Sequence, residues 1–265
     1  MEIESNCRYY HKTHNKYCFV VALKYYKNHP TTVFEYIDNI RKYCTGAKIL
    51  VVDNYSPDKI ELPEGDDIEY LLNTSENGFE LGAYKFAIRY LLESGQTELY
   101  EYFIFSQDSF YLYQPIQIEN NIIACPIVSS KPGQFRLDFV DGIGYYKGHP
   151  RHSMIQEAIQ EMGLEDEVDN LTFCCGCNIV LKGNTELLEL FDTMTNTELW
   201  ATNTKLESEC TERMLAGLLY LLNHKKNQRI EPMLIDEVFG EIKVGNEIVF
   251  KYFKKKVNNK TENTC

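Results

Sequence analysis

Two segments near the start of the chain carry almost unbroken apolar and β-branched residues, Tyr17 to Lys24 (YCFVVALK) and Ala47 to Asp53 (AKILVVD). Continuous runs of this kind predict strands buried on both faces, as in a parallel sheet. Between them, apolar residues recur at Val33, Ile37, Ile40 and Cys44, one face of a helix over Pro30 to Cys44. Pro30 suits the start of that helix and Gly46 its end. Strand, helix, strand within about 35 residues is a βαβ unit.

The alternation continues. Ile68 to Leu72 reads as a strand, Phe79 to Leu92 as a helix stopped near Gly95, and Tyr100 to Phe105 (YEYFIF) as the next strand. Ile122 to Val128 is another, and Pro126 places its end or a sheet edge nearby. Lys131 to Arg151, rich in glycine and proline, reads as a long loop region. A short helix follows over Ser153 to Met162, stopped by Gly163. Then come a strand, Asn178 to Lys182, and a helix, Glu186 to Met194, capped by Asn184 or Thr185. Ser208 to Asn223 is the longest helix with an apolar face, and Lys251 to Cys265 is a lysine- and asparagine-rich tail expected to fray. Nothing resembling a repeat or linker divides the chain. The fold class expected is therefore α/β, a mostly parallel Rossmann-like sheet flanked by helices in one domain over 1–265.

Composition narrows the partners. Thirty-nine acidic against 27 basic residues give a net charge of −12, the wrong sign for a protein that tracks nucleic-acid phosphates. The longest clean apolar run, Met214 to Leu222, is well short of the ~20 residues of a membrane-spanning helix. The polar segment Met1 to Lys16 lacks the apolar core of a secretory signal. Nine cysteines are then expected as reduced thiols in a cytoplasmic protein. Cys174, Cys175 and Cys177, with His149 and His152, form a rival zinc set, but their spacing is unlike a tetrahedral site and packed thiols are the simpler reading.

In open α/β sheets, ligands bind outside the carboxyl ends of the strands, so the polar residues there carry most weight. Asp53, in VVDNYSP (51–57), can accept hydrogen bonds from a ribose or base edge, or simply start a turn with Asn54 and Ser56. Asn77 and Gly78 open the second helix in NGFELGAYK (77–85), where Gly78 and Gly82 allow close backbone approach and exposed N–H groups suit phosphate. Lys85 lies farther along that helix and can reach the same anion. Its glycine spacing is not that of a dinucleotide fingerprint. In FIFSQDS (103–109), Asp108 follows a hydrophobic strand, where one carboxylate and substrate phosphates can share Mg2+ or Mn2+.

Taken in order, VVDNYS, NGFELGAYK and FIFSQDS resemble the nucleotide-sugar glycosyltransferases of GT-A fold, in the family 2 and rhamnan-synthesis-like branch. The likeness is strongest over 17–113, the nucleotide-sugar half. In the acceptor half, 114–250, FCCGCNIVLK (173–182) is similar to the segment before the acceptor site, and SECTERMLAGLL (208–219) stands where the family has its acidic catalytic motif. The resemblance implies a nucleoside-diphosphate sugar donor, a glycan or glycoprotein acceptor and a divalent cation, Mn2+ or Mg2+. It implies base contacts from Asp53 beside Ala22 and Leu23, diphosphate or ribose contacts from Asn77, Gly78 and Lys85, and a substrate contact from Gln107. Asp108 would hold the metal, with His149 or His152 sharing it, and Glu212 would be the general base with Glu209 in reserve. Inversion at the anomeric carbon is implied too.

The chain departs from the family twice. Ser106-Gln107-Asp108 lacks the first acid of the usual Asp-x-Asp triplet, and Glu212-Arg213 replaces a pair of acids. Two other functions remain open on the sequence: an inactive nucleotide-sugar or glycan-binding module of the same fold, and a nucleotidyltransferase.

Overall fold

The computed structural model describes residues 15–23, 32–74, 78–108, 111–112, 115–116, 118, 123–128, 152–171 and 177–224, with four two-residue strands between 233 and 248. The first four strands of the main sheet are β1 (Asn15–Leu23), β2 (Lys48–Asn54), β3 (Ile68–Asn73) and β4 (Tyr100–Gln107). After the short β5 (Tyr111–Leu112) come β6 (Ala124–Val128), β7 (Ile179–Lys182) and β8 (Met233–Leu234). In space the order is β3-β2-β1-β4-β7-β6-β8. The first four strands are mutually parallel, and β7 runs antiparallel to both β4 and β6. The expected α/β class with a mostly parallel sheet is thus the observed one. β6 lies one strand in from the β8 edge, in keeping with Pro126.

The helices are α1 (Val33–Tyr43), α2 (Phe79–Glu93), α3 (His152–Glu161), α4 (Thr185–Thr195) and α5 (Lys205–His224). They cover both sheet faces, which is why β1 reads as an unbroken apolar run. Phe19, Val21 and Leu23 pack in the layer that holds Ile37 and Ile40 of α1. Cys18, Val20 and Ala22 pack in the opposite layer, with Leu81 and Tyr84 of α2 and Met214 and Leu218 of α5. Tyr84 meets Phe105 edge-on at 5.2 Å, a geometry worth about 0.5–1.5 kcal/mol beyond the area it buries. Cys18, Cys44, Cys125, Cys177 and Cys210 are buried and unbridged, and burial pushes the Cys18 and Cys44 thiols up.

Local signals explain most boundaries. Asn184, not Thr185, caps α4, its side chain accepting from the Leu187 N–H at 2.9 Å. α5 starts at Lys205, ahead of the expected Ser208, because Thr204 and Glu207 form a reciprocal capping box. The Glu207 carboxylate accepts from the Thr204 N–H at 3.0 Å, and Thr204 Oγ1 accepts from the Glu207 N–H at 3.2 Å. α1 starts at Val33 after Thr32, and the expected helical residue Pro30 lies outside the described residues, as do the whole 131–151 loop region and the tail.

A forked ion pair ties the last turn of α1 to the start of β3. Arg41 Nε and Nη2 donate to the two carboxylate oxygens of Asp67 at 2.7 and 2.9 Å. Both side chains are about one-third exposed, so solvent screening limits the pair to under about 1 kcal/mol. Arg41 holds the Asp67 carboxyl below its ordinary 3.8. A depressed carboxylate stabilises the fold above its unfolded pKa, and that stability is lost as pH falls through the lower folded value. Denaturation midpoints of Arg41→Met and the wild type are therefore expected to differ near pH 7 and to converge below about pH 3. A gap that persists in acid would assign the effect to packing of the arginine stem instead.

Candidate functional site

Chain order and spatial order part company beside β1. From β1 the chain builds outward through β2 and β3, then returns to place β4 on the other side of β1. Such a switch leaves a crevice at the carboxyl ends of the two central strands, the usual ligand position in an open α/β sheet. Strand register gathers several predicted residues there. Ala22 pairs with Gln107 and Leu23 with Asp53, so these four share one rim although 85 positions separate the first from the last. Both Ala22 and Leu23 are buried and supply floor rather than reactive groups.

Asp53 is 1% exposed. One carboxylate oxygen accepts from the Ser56 N–H at 2.8 Å, and the other accepts from the Tyr70 hydroxyl. Burial first, and the hydrogen bond to Asp53 second, push the Tyr70 phenol upward. Asp53 therefore organises its own turn, as the Asp-Asn-Ser-Pro composition allows. That turn presents Tyr55, which is 56% exposed and held at φ +61°. Asn54 Nδ2 donates to the Phe79 carbonyl at 2.5 Å, while its Oδ1 accepts from Asn73 at 2.7 Å. The ends of β2 and β3 are thereby fastened to the mouth of α2. Phe79 (φ +51°) and Cys177 (φ +61°) are the other non-glycine residues in the left-handed region among those described. All three follow or precede strands at this same rim, so backbone strain is concentrated where a ligand would approach.

At the end of β4, Ser106 faces the core, sharing a 2.8 Å hydrogen bond with the Tyr36 hydroxyl. Gln107 is fixed twice: its N–H donates to Asn178 Oδ1 at 2.9 Å, and its Nε2 donates to Glu80 at 2.7 Å. Glu80 also accepts from Ser208 Oγ at 3.1 Å. One carboxylate thus links β4, α2 and the first turn of α5. Asp108 is half-buried, and its carbonyl accepts from Thr32 Oγ1 at 2.6 Å, which sets it against the start of α1. Asp108 and Gln107 therefore stand at the switch-point crevice.

Glu209 and Glu212 lie in the first two turns of α5, both partly exposed. Glu212 is one turn beyond Ser208, so it shares the helix face that meets Glu80. Buried Arg213 places Nη1 3.9 Å from Glu212 Oε2 and donates to the Glu209 carbonyl. Glu212 therefore lies on the face of α5 that carries Ser208, whereas Glu209 is turned about 100° from Ser208 around the helix.

α2 separates two groups that the sequence puts in one motif. Gly82 and Lys85 project from roughly the opposite side to Glu80, at 100° per residue. With Gly78 they line a cleft against 196–203, between α4 and α5. Lys85 faces this cleft, whereas Glu80 turns toward Gln107. Asn77 and His149 lie outside the described residues, as does the side chain of His152. Among the described residues no three His, Cys, Asp or Glu side chains gather around one point, and no helix is long and apolar enough to cross a membrane.

Sequence reasoning overlooked Glu80, Asn178 and Tyr55. Glu80 was visible inside NGFELGAYK, but only folding shows that it, rather than Lys85, meets the end of β4. Asn178 precedes an antiparallel strand, so it reaches this rim from the wrong end for a rule about carboxyl ends. No family model matches the sequence of this chain, and neither does any curated protein.

Proposed function

We propose that this chain is a glycosyltransferase of the GT-A type, transferring a sugar from a nucleoside-diphosphate sugar to a hydroxyl of a glycan or glycoprotein acceptor, with inversion. The observation that carries the reading is the register at the switch point, which aligns Ala22, Leu23, Asp53 and Gln107 along one rim, with Asp108 the next residue after Gln107. Tyr55 offers an aromatic face to a base, on a turn that Asp53 holds. The acceptor oxygen attacks the anomeric carbon, the bond from that carbon to the diphosphate oxygen breaks, and the hydroxyl proton passes to Glu212. Asp108, half-buried and positioned through its backbone by Thr32, suits a site where one carboxylate and substrate phosphates share a cation. Asp108 would hold Mn2+ or Mg2+ there, with His149 or His152, to neutralise charge on the departing diphosphate.

The test is stability in the presence of UDP-, GDP-, dTDP- and CMP-sugars, with and without manganese. A ligand that binds only the folded chain at ~100 times its dissociation constant adds about 2.7 kcal/mol. Stabilisation by one nucleotide class, dependent on manganese and lost in Asp108→Ala, is expected. No stabilisation by any donor overturns the reading.

A second reading, an inactive donor- or glycan-binding module on the same fold, draws support from Ser106. Where the family carries its first acid, this chain buries a serine against Tyr36, which leaves Asp108 the only carboxylate of the triplet. Donor hydrolysis separates the two readings: the enzyme performs it and the module does not.

A further inference from the structure

The cleft beside α2 has no part in the chemistry above, yet it is built like a binding site. It encloses about 440 Å³ between α2 and the connector from α4 to α5, within the range of small-molecule pockets. Its buried lining is Gly82, Lys85, Trp200 and Thr202, with Gly78 at the mouth of the helix. We propose that this cleft is an oxyanion site that takes a phosphoryl group, free or carried on a small organic molecule, separately from the nucleotide crevice.

Three independent features support this. Lys85 lines the cleft and is only 9% exposed, and a charge at a buried position is less screened toward an anion than one at the surface. α2 is a 15-residue helix whose N-cap, Gly78, has no capping side chain. Its first-turn N–H groups and the positive end of its dipole emerge at the cleft mouth. Thr202 is 3% exposed, and its Oγ1 has no hydrogen-bond partner among the described residues. Buried hydroxyls are nearly always paired, and a bound oxyanion would supply the acceptor. That hydroxyl lies 3.1 Å from where a Cβ on Gly78 would stand, so the glycine keeps open the space between the hydroxyl and the helix mouth. Among the described residues the single acid of the lining, Glu198, sits on the exposed rim, where solvent and salt screen it.

The inference does not rest on the glycosyltransferase reading, because it uses neither Asp108 nor Glu212. It is tested by calorimetric titration of the whole chain with inorganic phosphate and with glucose 6-phosphate. Saturable binding is expected, reduced about tenfold or more in Lys85→Gln and several-fold in Thr202→Val. Thr202→Val should also keep or raise the denaturation midpoint of the unliganded protein, since it removes an unpaired buried hydroxyl, and it serves as the probe if Lys85→Gln fails to fold. Saturating UDP should leave phosphate affinity unchanged. Tighter binding of the sugar phosphate would assign an organic ligand, and equal binding would assign the free ion. Absence of saturable binding, unchanged affinity in both variants, or displacement by UDP overturns the proposal.

Discussion

Gly183→Ala is expected to destabilise the protein by about 3 kcal/mol or more, the upper end of the cost of overpacking. Gly183 directly follows β7, where its N–H donates to the Glu101 carbonyl at 2.8 Å. A Cβ there would stand 1.8 Å from the Tyr100 carbonyl oxygen, 2.9 Å from its carbon and 3.1 Å from the Thr97 carbonyl oxygen. All three are backbone atoms, so no rotamer change relieves the clash, and the start of β4 must move. Tyr100 is packed edge-on against Phe103 at 5.6 Å, which resists that movement. Gly95→Ala is the informative control. Gly95 lies at φ +66° with open space around its Cβ position, so its variant bears only the left-handed penalty of roughly 1–2 kcal/mol. Chemical-denaturation midpoints should therefore rank Gly183→Ala well below Gly95→Ala. Equal losses would show that β4 and β7 can separate cheaply. Because β7 carries Asn178 at its other end, the surviving fold should also hold Gln107 less firmly.

The features readable in the sequence are those set by neighbours along the chain. The runs at Tyr17 to Lys24 and Ala47 to Asp53 announced strands buried on two faces, and the Asp-Asn-Ser-Pro turn at Asp53 was equally local. The Thr204–Glu207 capping box was also local and could have moved the start of α5 three residues earlier. What escaped depended on distant pairing. The antiparallel direction of β7 is set by its contacts with β4, more than 70 positions away, and no periodicity within four residues can encode it. Ser106 faces the core because Tyr36 meets it across 70 positions. Gly78 and Lys85 stand out in the sequence, but the surface they face depends on the α4–α5 connector, which packs on that side of α2 only in the folded chain. Thr202 gave no signal at all, since a threonine in a polar connector is unremarkable until its hydroxyl is buried.

On the proposed glycosyltransferase reading, Glu212→Gln is expected to lower the rate of sugar transfer by about 10²–10⁴-fold, the range of a general base, while donor affinity stays unchanged. Glutamine keeps the size and hydrogen-bonding reach of glutamate and removes only its ability to take the acceptor proton. The choice of Glu212 over Glu209 follows from its position: it stands one turn beyond Ser208, whose hydroxyl bonds Glu80, and Glu80 in turn holds Gln107 beside Asp108. Its side chain is 18% exposed, reachable by an acceptor yet packed on one side. Arg213, 4% exposed and 3.9 Å from Glu212, supplies a competing explanation for any loss, because removing a carboxylate beside a buried guanidinium also destabilises the fold. A fall in kcat with the donor dissociation constant and denaturation midpoint preserved separates chemistry from folding. Glu209→Gln should leave transfer within a few-fold of wild type, since it removes no group from the Ser208 face. Loss in Glu209→Gln with Glu212→Gln unaffected would move the base to Glu209. Wild-type rates in both variants would remove the acid from the mechanism and leave the crevice as a binding site.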